Sequence, residues 1–390
     1  MTTTSLVDLS PALRVMLVGA LLASVAIAWL ALRRRASPGS GWLRALTVLT
    51  LFLTFDLVVF GAFTRLTDSG LGCPDWPGCY GSASPVGAGA AISAAQSAMP
   101  TGPVTHPKAW IEMVHRYLAT GVGTLIVLLA ISSWRTFVKA KGGRRVADIA
   151  WPSLTLFWVC VQGAFGALTV TMKLFPAIVT MHLLGGLLLL ALLAVQAEHQ
   201  ARRATGRAQQ LVDPATRAAL LTAFVLVFVQ VALGGWVSTN YAVLACTDFP
   251  TCHGTWWPAM DFAQGFEPWR ALGLTAGGQH ITFEALTAIH FAHRLMAAPV
   301  LIALGVLAWR LAHFPKMRHL SRWIAAVAAL QFLTGLANVV LDWPLAAALL
   351  HTAGAAALVL LLTWTASAST SLAQPTRVKV ARARTRGVSA

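Results

Sequence analysis

The feature that most limits the fold of this chain is a series of nine long apolar segments. A helix that crosses about 30 Å of hydrocarbon needs about 20 mostly apolar residues. Of the 390 residues, 57% are hydrophobic and only 11% are charged, whereas soluble domains carry about 25% charged residues. The composition excludes a soluble enzyme or a disordered chain and predicts an all-α, polytopic membrane protein. The segments lie near residues 13–32, 43–64, 110–132, 151–171, 177–197, 217–238, 285–309, 322–341 and 345–367.

The basic residues predict how the chain is oriented in the membrane. The formal net charge is +16, and 22 of the 29 lysines and arginines fall in connections that share one side of the nine-span arrangement. Such a bias marks the cytoplasmic side, which predicts a bacterial inner-membrane protein with its N-terminus outside and its C-terminus in the cytoplasm. No nucleic-acid motif accompanies the charge, so nucleic-acid binding is not indicated.

The first apolar segment resembles either a signal peptide or a membrane anchor. Its preceding region carries Asp8 and Arg14, no small-residue cleavage site follows, and three consecutive arginines, 33–35, come directly after it. These features favour a retained helix. We therefore interpret residues 1–42 as an additional N-terminal transmembrane helix with a basic linker.

The rest of the chain contains an internal repeat. Residues 55–81 resemble residues 228–254, and the cysteine pairs within them have the same internal spacing. Because each copy holds four spans, an even number, both copies enter the membrane from the same side. The sequence predicts two parallel-repeat four-helix bundles. The matched positions are Cys73 and Cys246, Cys79 and Cys252, His115 and His293, Arg116 and Arg294, Gln162 and Gln331, and His182 and His351.

The repeat also predicts the domain boundaries. Residues 43–198 form the N-terminal bundle, and residues 217–367 form the C-terminal bundle. A cytoplasmic linker, residues 199–216, joins them. Residues 368–390 form a basic cytoplasmic tail that we expect to be disordered, since it is rich in charge and poor in apolar residues.

Four histidines in the predicted spans are the candidate metal ligands: His115, His182, His293 and His351. Ionisable residues in spanning segments are costly and often functional. The first two lie about five residues inside the outer ends of their helices, or about 8 Å deep, where one iron could bind both. Two histidines are too few for a closed zinc site, so haem with two axial histidines is the better fit. Hydrogen bonding between helices is the alternative, which the duplication disfavours.

Glycines and arginines surround these histidines. The glycines leave room for a flat macrocycle, although small residues also serve close helix packing. Arg116 and Arg294 each follow a histidine and could pair with haem propionates, or extend to the interface. Arg65 is a third candidate for a propionate contact. The glycines are Gly121, Gly123, Gly185, Gly186 and Gly354.

The two halves differ three residues before the repeated histidine. Glu112 precedes His115, whereas His290 precedes His293. A carboxylate beside an iron ligand could transfer protons or stabilise a cation, and Glu112 could instead favour the start of its helix. His290 is a second candidate ligand, but the repeated His-Arg pair favours His293.

The paired cysteines lie in outer loops, where an oxidising compartment favours two short-loop disulfides. A ring closed over so few residues gives limited entropic stabilisation. Both a structural and a redox role are therefore open, and the structural role is favoured. Cys160 lies within a span and is interpreted as a packing residue.

The string GAFTRLTDSGLGCPDWPGCYG (61–81), the string EMVHR, the repeated His-Arg pair and the late-helix histidines resemble the haem A synthase family over residues 43–367. The resemblance implies oxidation of a methyl substituent of haem O to a formyl group, by successive hydroxylations with oxygen from water, giving haem A for terminal oxidases. It implies a permanent haem b cofactor in the C-terminal bundle and haem O in the N-terminal bundle. The implied roles are haem b ligands for His293 and His351, haem O ligands for His115 and His182, catalysis for Glu112, and disulfides Cys73–Cys79 and Cys246–Cys252.

Two other functions compete with this interpretation. A di-haem electron-transfer cytochrome would use the same histidines without a substrate. A transporter built from parallel repeats would show broken helices and a charged midplane site, which the sequence lacks. The pathway implies partnership with a haem O synthase and oxidase assembly factors, and the spans imply membrane lipid. The electron acceptor and the oligomeric state, a homo-oligomer included, are left open.

Overall fold

A computed structural model describes residues 10–35, 41–139 and 146–371. Within these ranges the chain is mainly helical, with one short pair of strands and two 3₁₀ turns, Ala242–Leu244 and Pro315–Met317. The helices are α1 Ser10–Arg35, α2 Trp42–Leu66, α3 Gly89–Ala98, α4 His106–Lys139, α5 Ala147–Thr171, α6 Pro176–Thr205, α7 Pro214–Thr239, α8 Phe262–Gly265, α9 Phe283–Ala312, α10 Arg318–Val340 and α11 Leu345–Ala368. The strands are β1 Gln210–Val212 and β2 Ser369–Ser371.

Nine helices in the described part of the chain are long and apolar enough to cross a membrane, namely all but α3 and α8. The prediction of a helical, polytopic membrane protein with nine spans is confirmed. Two helices extend well beyond their predicted ends: α4 begins at His106 and α6 ends at Thr205. An apolar run predicts only the part of a helix that lies in the hydrocarbon. Strong helix formers such as alanine, glutamate and arginine continue α6 beyond that part.

The spans pack mainly against their neighbours in the sequence. Helix α4 contacts α2 and α5, α5 contacts α6, α9 contacts α7 and α10, and α10 contacts α11. Helix α6 also contacts α7 and α11, and α2 contacts α11, so these three interfaces join the two parts of the chain. A large apolar cluster, which includes Leu129, Leu190 and Leu304, continues through both parts. Because lipid is as apolar as leucine, close packing rather than transfer from water stabilises these contacts.

Helix α1 lies against α4. A Cβ atom added to Gly19 would lie 2.8 Å from the backbone nitrogen of Gly121, closer than side chains pack. A Cβ atom on Gly121 would in turn lie 3.3 Å from the carbonyl oxygen of Gly19. The two glycines therefore let α1 and α4 approach each other closely. Gly121 thus lies in the contact with α1, and not beside a histidine as we predicted.

The predicted linker and tail meet in a parallel strand pair. Gln210 of β1 pairs with Ser369 of β2, and Val212 pairs with Ser371. The linker 199–216 is thus largely regular, because α6 continues through its first part and Asp213 caps α7 by accepting a hydrogen bond from the N–H of Thr216 (2.9 Å). The tail was expected to be disordered from residue 368, whereas residues 369–371 are paired. Residues 372–390 lie outside the described residues.

Candidate functional site

The same disulfide loop occurs after α2 and after α7. Cys73 is bonded to Cys79, and Cys246 is bonded to Cys252. In the first loop, the carboxylate of Asp75 accepts hydrogen bonds from the backbone N–H groups of Tyr80 (2.6 Å) and Gly81 (2.8 Å).

In the second loop, Asp248 accepts hydrogen bonds in the same way from His253 (2.8 Å) and Gly254 (3.0 Å). Hydrogen bonds from the hydroxyl of Thr251 and the N–H of Gly254 hold the pKa of Asp248 well below its ordinary value. In each loop the carboxylate therefore accepts the hydrogen bonds of two backbone N–H groups, in place of a backbone carbonyl oxygen.

The arginine that follows each repeated histidine fastens the loop to its helix. Arg116 donates through Nη1 to the carbonyl oxygens of Asp75 (2.9 Å) and Pro77 (3.3 Å). Its side chain is buried, so it does not extend to the interface.

Arg294 does the same in the second half. It donates to the carbonyl oxygens of Asp248 (2.8 Å), Thr251 (3.0 Å) and Cys246 (2.8 Å). The planar guanidinium group suits such convergent acceptors. Propionate contacts by these two arginines stay a prediction.

Glu112 joins the first loop to α4. It is 4% exposed; its Oε2 accepts a hydrogen bond from the N–H of Cys73 (2.7 Å), and its Oε1 forms an ion pair with Arg116. Because α4 begins at His106, Glu112 lies in its second turn and does not favour the helix start. The alternative that Glu112 acts at the helix terminus is therefore wrong, and the carboxylate is held one turn from His115 by two partners.

The first histidine pair is embedded against glycines. A Cβ atom on Gly61 of α2 would lie 3.0 Å from Cε1 of His115, and one on Gly166 of α5 would lie 3.5 Å from Cε1 of His182. The ring of Phe60 is nearly parallel to that of His115, with centroids 6.3 Å apart. Among the described residues, Nδ1 of both histidines is buried without a hydrogen-bond partner.

The second pair repeats this environment. Gly234 of α7 and Gly335 of α10 face His293 and His351, at 2.9 Å and 3.2 Å from an added Cβ atom to Cε1. The two imidazole rings are nearly perpendicular and meet at an edge, with centroids 6.4 Å apart and planes at 81°. His290 is 4% exposed and lies one turn away on α9, and the ring contact with His351 is made by His293.

The residues present fit haem iron between two histidines. An imidazole nitrogen binds a metal at about 2 Å and its ring centroid lies about 1 Å further, so two opposed rings have centroids about 6 Å apart. The rings of His293 and His351 match this separation. Nδ1 of His115, His182 and His293 is buried without a hydrogen-bond partner among the described residues, so no protein group there fixes which ring nitrogen carries the proton.

Four glycines that face the histidines were not predicted from the sequence: Gly61, Gly166, Gly234 and Gly335. A signal was present, because Gly61 and Gly234 occupy matched positions when the two copies are aligned on their cysteines. Gly185 and Gly354, which we did predict, contact the amide groups of Gln162 and Gln331 rather than a histidine. Gly123 has no neighbour within 4 Å of an added Cβ atom, and for Gly186 the nearest is Val58 at 3.8 Å.

Arg65 lies where the ends of α2 and α7 meet. It donates to the carbonyl oxygen of Ser238, and its guanidinium carbon lies 4.1 Å from the ring centroid of Tyr241. The hydroxyl of Tyr241 donates to Asp68, and burial raises the pKa of Tyr241. The structure thus places Arg65 in a contact between the two halves, and its propionate contact stays a prediction.

Residues 44–363 match a family described as cytochrome oxidase assembly protein. A haem A synthase from Shewanella oneidensis is 39% identical over 336 residues, which are 83% of this chain and 97% of that protein. Haem A synthases from Halalkalibacterium halodurans and Hyphomonas neptunium are 25% and 26% identical, over 79% and 80% of this chain and 91% and 88% of their own lengths. The matched range contains all four histidines and leaves α1 outside.

Proposed function

Because the chain belongs to the haem A synthase family of cytochrome oxidase assembly proteins, we propose that it oxidises a methyl substituent of haem O to a formyl group. The observation that carries the proposal is the duplicated histidine pair, with Glu112 beside only one copy. The two sites have the same architecture, but one has an acidic residue beside its histidines and the other does not. This difference is expected if one site binds the substrate and the other binds the cofactor. The proposal includes the oxidoreductase class and two parallel-repeat bundles, residues 43–198 and 217–367.

In the substrate half, His115 and His182 hold haem O by its iron. Gly61 and Gly166 leave the space that each ring needs. The disulfide loop, fastened by Arg116, covers the same end of the bundle. These residues bind and orient the substrate and keep bulk water from the reacting carbon.

In the cofactor half, His293 and His351, whose ring centroids are 6.4 Å apart, would hold haem b. When bound, this haem would supply a one-electron acceptor. Arg294 holds the second loop as Arg116 holds the first. We place both sites near the periplasmic face of the bacterial inner membrane, with the C-terminus in the cytoplasm.

The reaction needs a group that handles protons. Conversion of a methyl to a formyl group consumes one water and releases four protons and four electrons to an external acceptor. Glu112 is the carboxylate nearest in sequence to a substrate ligand, and its two partners fix it in place. We assign it to accept protons from the attacking water or to stabilise positive charge at the reacting carbon.

Haem analysis tests the proposal. The full chain is co-expressed with a source of haem O, and extracted haems are separated by chromatography for the parent, Glu112→Gln, His115→Ala and His290→Gln. Haem A is expected from the parent and from His290→Gln, the matched change in the other half. Glu112→Gln is expected to lose about 100-fold in haem A formation, as for a removed general base, while keeping haem b.

The rival function predicts a different result. A di-haem electron-transfer cytochrome would contain two haem b groups per chain and no haem A, and Glu112→Gln would change neither. That outcome would overturn the proposed synthase activity.

A further inference from the structure

The second histidine pair has a hydrogen bond that the first pair lacks among the described residues. Oγ1 of Thr334, on α10, lies 2.9 Å from Nδ1 of His351, on α11. The same hydroxyl lies 2.8 Å from the carbonyl oxygen of Leu330, which can only accept, so the hydroxyl proton is directed there. Thr334 therefore accepts a hydrogen bond from Nδ1–H of His351. This fixes the tautomer whose Nε2 lone pair is free to bind a metal.

The backbone of the second pair is held as well. Nε2 of Gln230 donates to the carbonyl oxygen of His293 (3.1 Å), and Nε2 of Gln331 donates to that of His351 (2.9 Å). Each glutamine lies on the helix that also supplies the facing glycine. His351 is thus held at both its ring and its backbone, whereas His293 is held at its backbone and its Nδ1 has no hydrogen-bond partner among the described residues.

The first half has different residues at these positions. Aligned on the cysteine pairs, Gln230 matches Leu57; aligned on the glutamine and histidine pairs, Thr334 matches Phe165. Gln162 matches Gln331, but in the described structure neither of its amide atoms has a hydrogen-bond partner. Nδ1 of His182 is also unpartnered there. The two sites therefore share ligands and glycines and differ in the hydrogen bonds to those ligands.

We propose that Thr334 is a positioning residue that makes the second site the permanent haem site. A ligand whose Nδ1–H is held by an oxygen is fixed in orientation and is a stronger donor to the metal. Stronger donation stabilises the oxidised iron and lowers the midpoint potential. The first site, without this bond, releases its haem more readily, as a site for substrate and product must. This inference rests on the proposed function, because it needs haem between His293 and His351.

The test uses the purified full chain and three variants at two threonines. Thr334→Val removes the acceptor while keeping the shape, and Thr334→Ser keeps the hydroxyl. The control is Thr363→Val, because the buried hydroxyl of Thr363 donates, within the described residues, to the carbonyl oxygen of Val359 on its own helix (2.7 Å). Haem b content and affinity, and the midpoint potential by optical redox titration, are measured for each.

Thr334→Val is expected to lose about 10-fold or more in haem b affinity and to shift the midpoint potential upward. Thr334→Ser and Thr363→Val are expected to match the parent. An unchanged potential and affinity in Thr334→Val would overturn the proposal, as would an equal change in Thr363→Val. If Thr334→Val cannot be recovered as a folded chain, the reciprocal variant Phe165→Thr tests the proposal instead. Slower loss of haem from the first site in Phe165→Thr would support the proposal, and an unchanged rate of loss would overturn it.

Failure of this inference can be told from failure of the proposed function. The readouts report the haem bound by the histidines and do not depend on formation of haem A. A chain that forms haem A but shows no effect at Thr334 contradicts only the inference. A chain with the Thr334 effect but no haem A contradicts only the synthase activity.

Discussion

Single residues connect the outer loops to the histidine-bearing helices. Arg116 and Arg294 each follow a histidine by one position, and each binds several carbonyl oxygens of a disulfide loop. The loop position and the ligand position are therefore coupled through one side chain. A change in the loop is transmitted to the histidine through the turn of helix that both residues share.

Replacing Arg294 by lysine tests this coupling. An ammonium group cannot span three carbonyl oxygens in a plane, and each lost hydrogen bond is worth about 1 kcal/mol. In Arg294→Lys, the amides of residues 246–254 are expected to exchange hydrogen about tenfold faster. The measurement is hydrogen exchange read by mass spectrometry, with Arg310→Lys, at the other end of α9, as the control. Equal protection in the parent and Arg294→Lys would show that the arginine does not hold the loop.

The carboxylate of Asp248 gives the second loop a dependence on pH. Hydrogen bonds lower its pKa in the folded protein, so its contribution to stability is complete above the ordinary pKa of about 3.9. The contribution is lost as the pH falls through the lower, folded-state pKa. We expect the melting temperature of the parent to fall more steeply than that of Asp248→Asn as the pH is lowered from about 5 toward about 3. Parallel melting curves for the two proteins would contradict this.

The ligand candidates could be found from the sequence because charge is rare in the spans and the repeat gives each residue a partner. The facing glycines could not be found in the same way. A glycine in a transmembrane helix is common, and its neighbour depends on how far each helix is rotated. Gly121 illustrates this: it lies near His115 in sequence, yet it faces α1. Hydrogen-bond partners such as Thr334 depend on the same rotation.

At the scale of helices and strands, the apolar runs determine the existence of each span and leave its ends undetermined. The added turns of α4 and α6, and the short helices α3 and α8, lie in segments without long apolar runs. Strands β1 and β2 are distant from each other in the sequence, and each is too short for an alternating pattern. Such elements depend on tertiary contacts rather than on local sequence.

The close contacts between helices at the histidines predict which glycine substitutions reduce haem binding and stability. In Gly234→Ala, the new Cβ atom would lie 2.9 Å from Cε1 of His293, so the ring or the helix must move. In Gly123→Ala no described residue beyond the adjoining turns of its own helix lies within 4 Å of the new atom, and alanine also favours the helix. We expect Gly234→Ala to lose haem b and to melt at lower temperature, and Gly123→Ala to keep both properties. Haem content per chain and thermal unfolding measure this, and equal haem content in the two variants would contradict it.

At the scale of the whole molecule, the two halves are joined near the histidines and along their helices. Arg65 and Asp68 of the first half contact Ser238 and Tyr241 of the second. Helices α2, α6, α7 and α11 form the interface between the halves. At the end away from the histidines, β1 and β2 tie the start of α7 to the end of α11. These contacts hold the two matched histidine pairs in one molecule at a fixed separation.

The number of spans and the basic connections together predict the orientation of the molecule in the membrane. With nine crossings, we expect the two ends of the described chain on opposite sides of the membrane, and the basic connections predict that the later end is in the cytoplasm. Helix α1 contributes one crossing and packs against α4, whereas the basic connections that follow α4, α6 and α9 do not depend on it. Removal of α1 should therefore leave the orientation of the other eight helices unchanged.

Reporter fusions test this orientation. Green fluorescent protein fused after the last residue is expected to fluoresce, and alkaline phosphatase at the same place is expected to be inactive, both in the full chain and in a chain that begins at residue 41. The shortened chain is expected to melt at lower temperature, because the glycine-mediated contact between α1 and α4 is lost. Alkaline phosphatase activity in the shortened chain alone would mean that α1, and not the distribution of basic residues, determines the orientation.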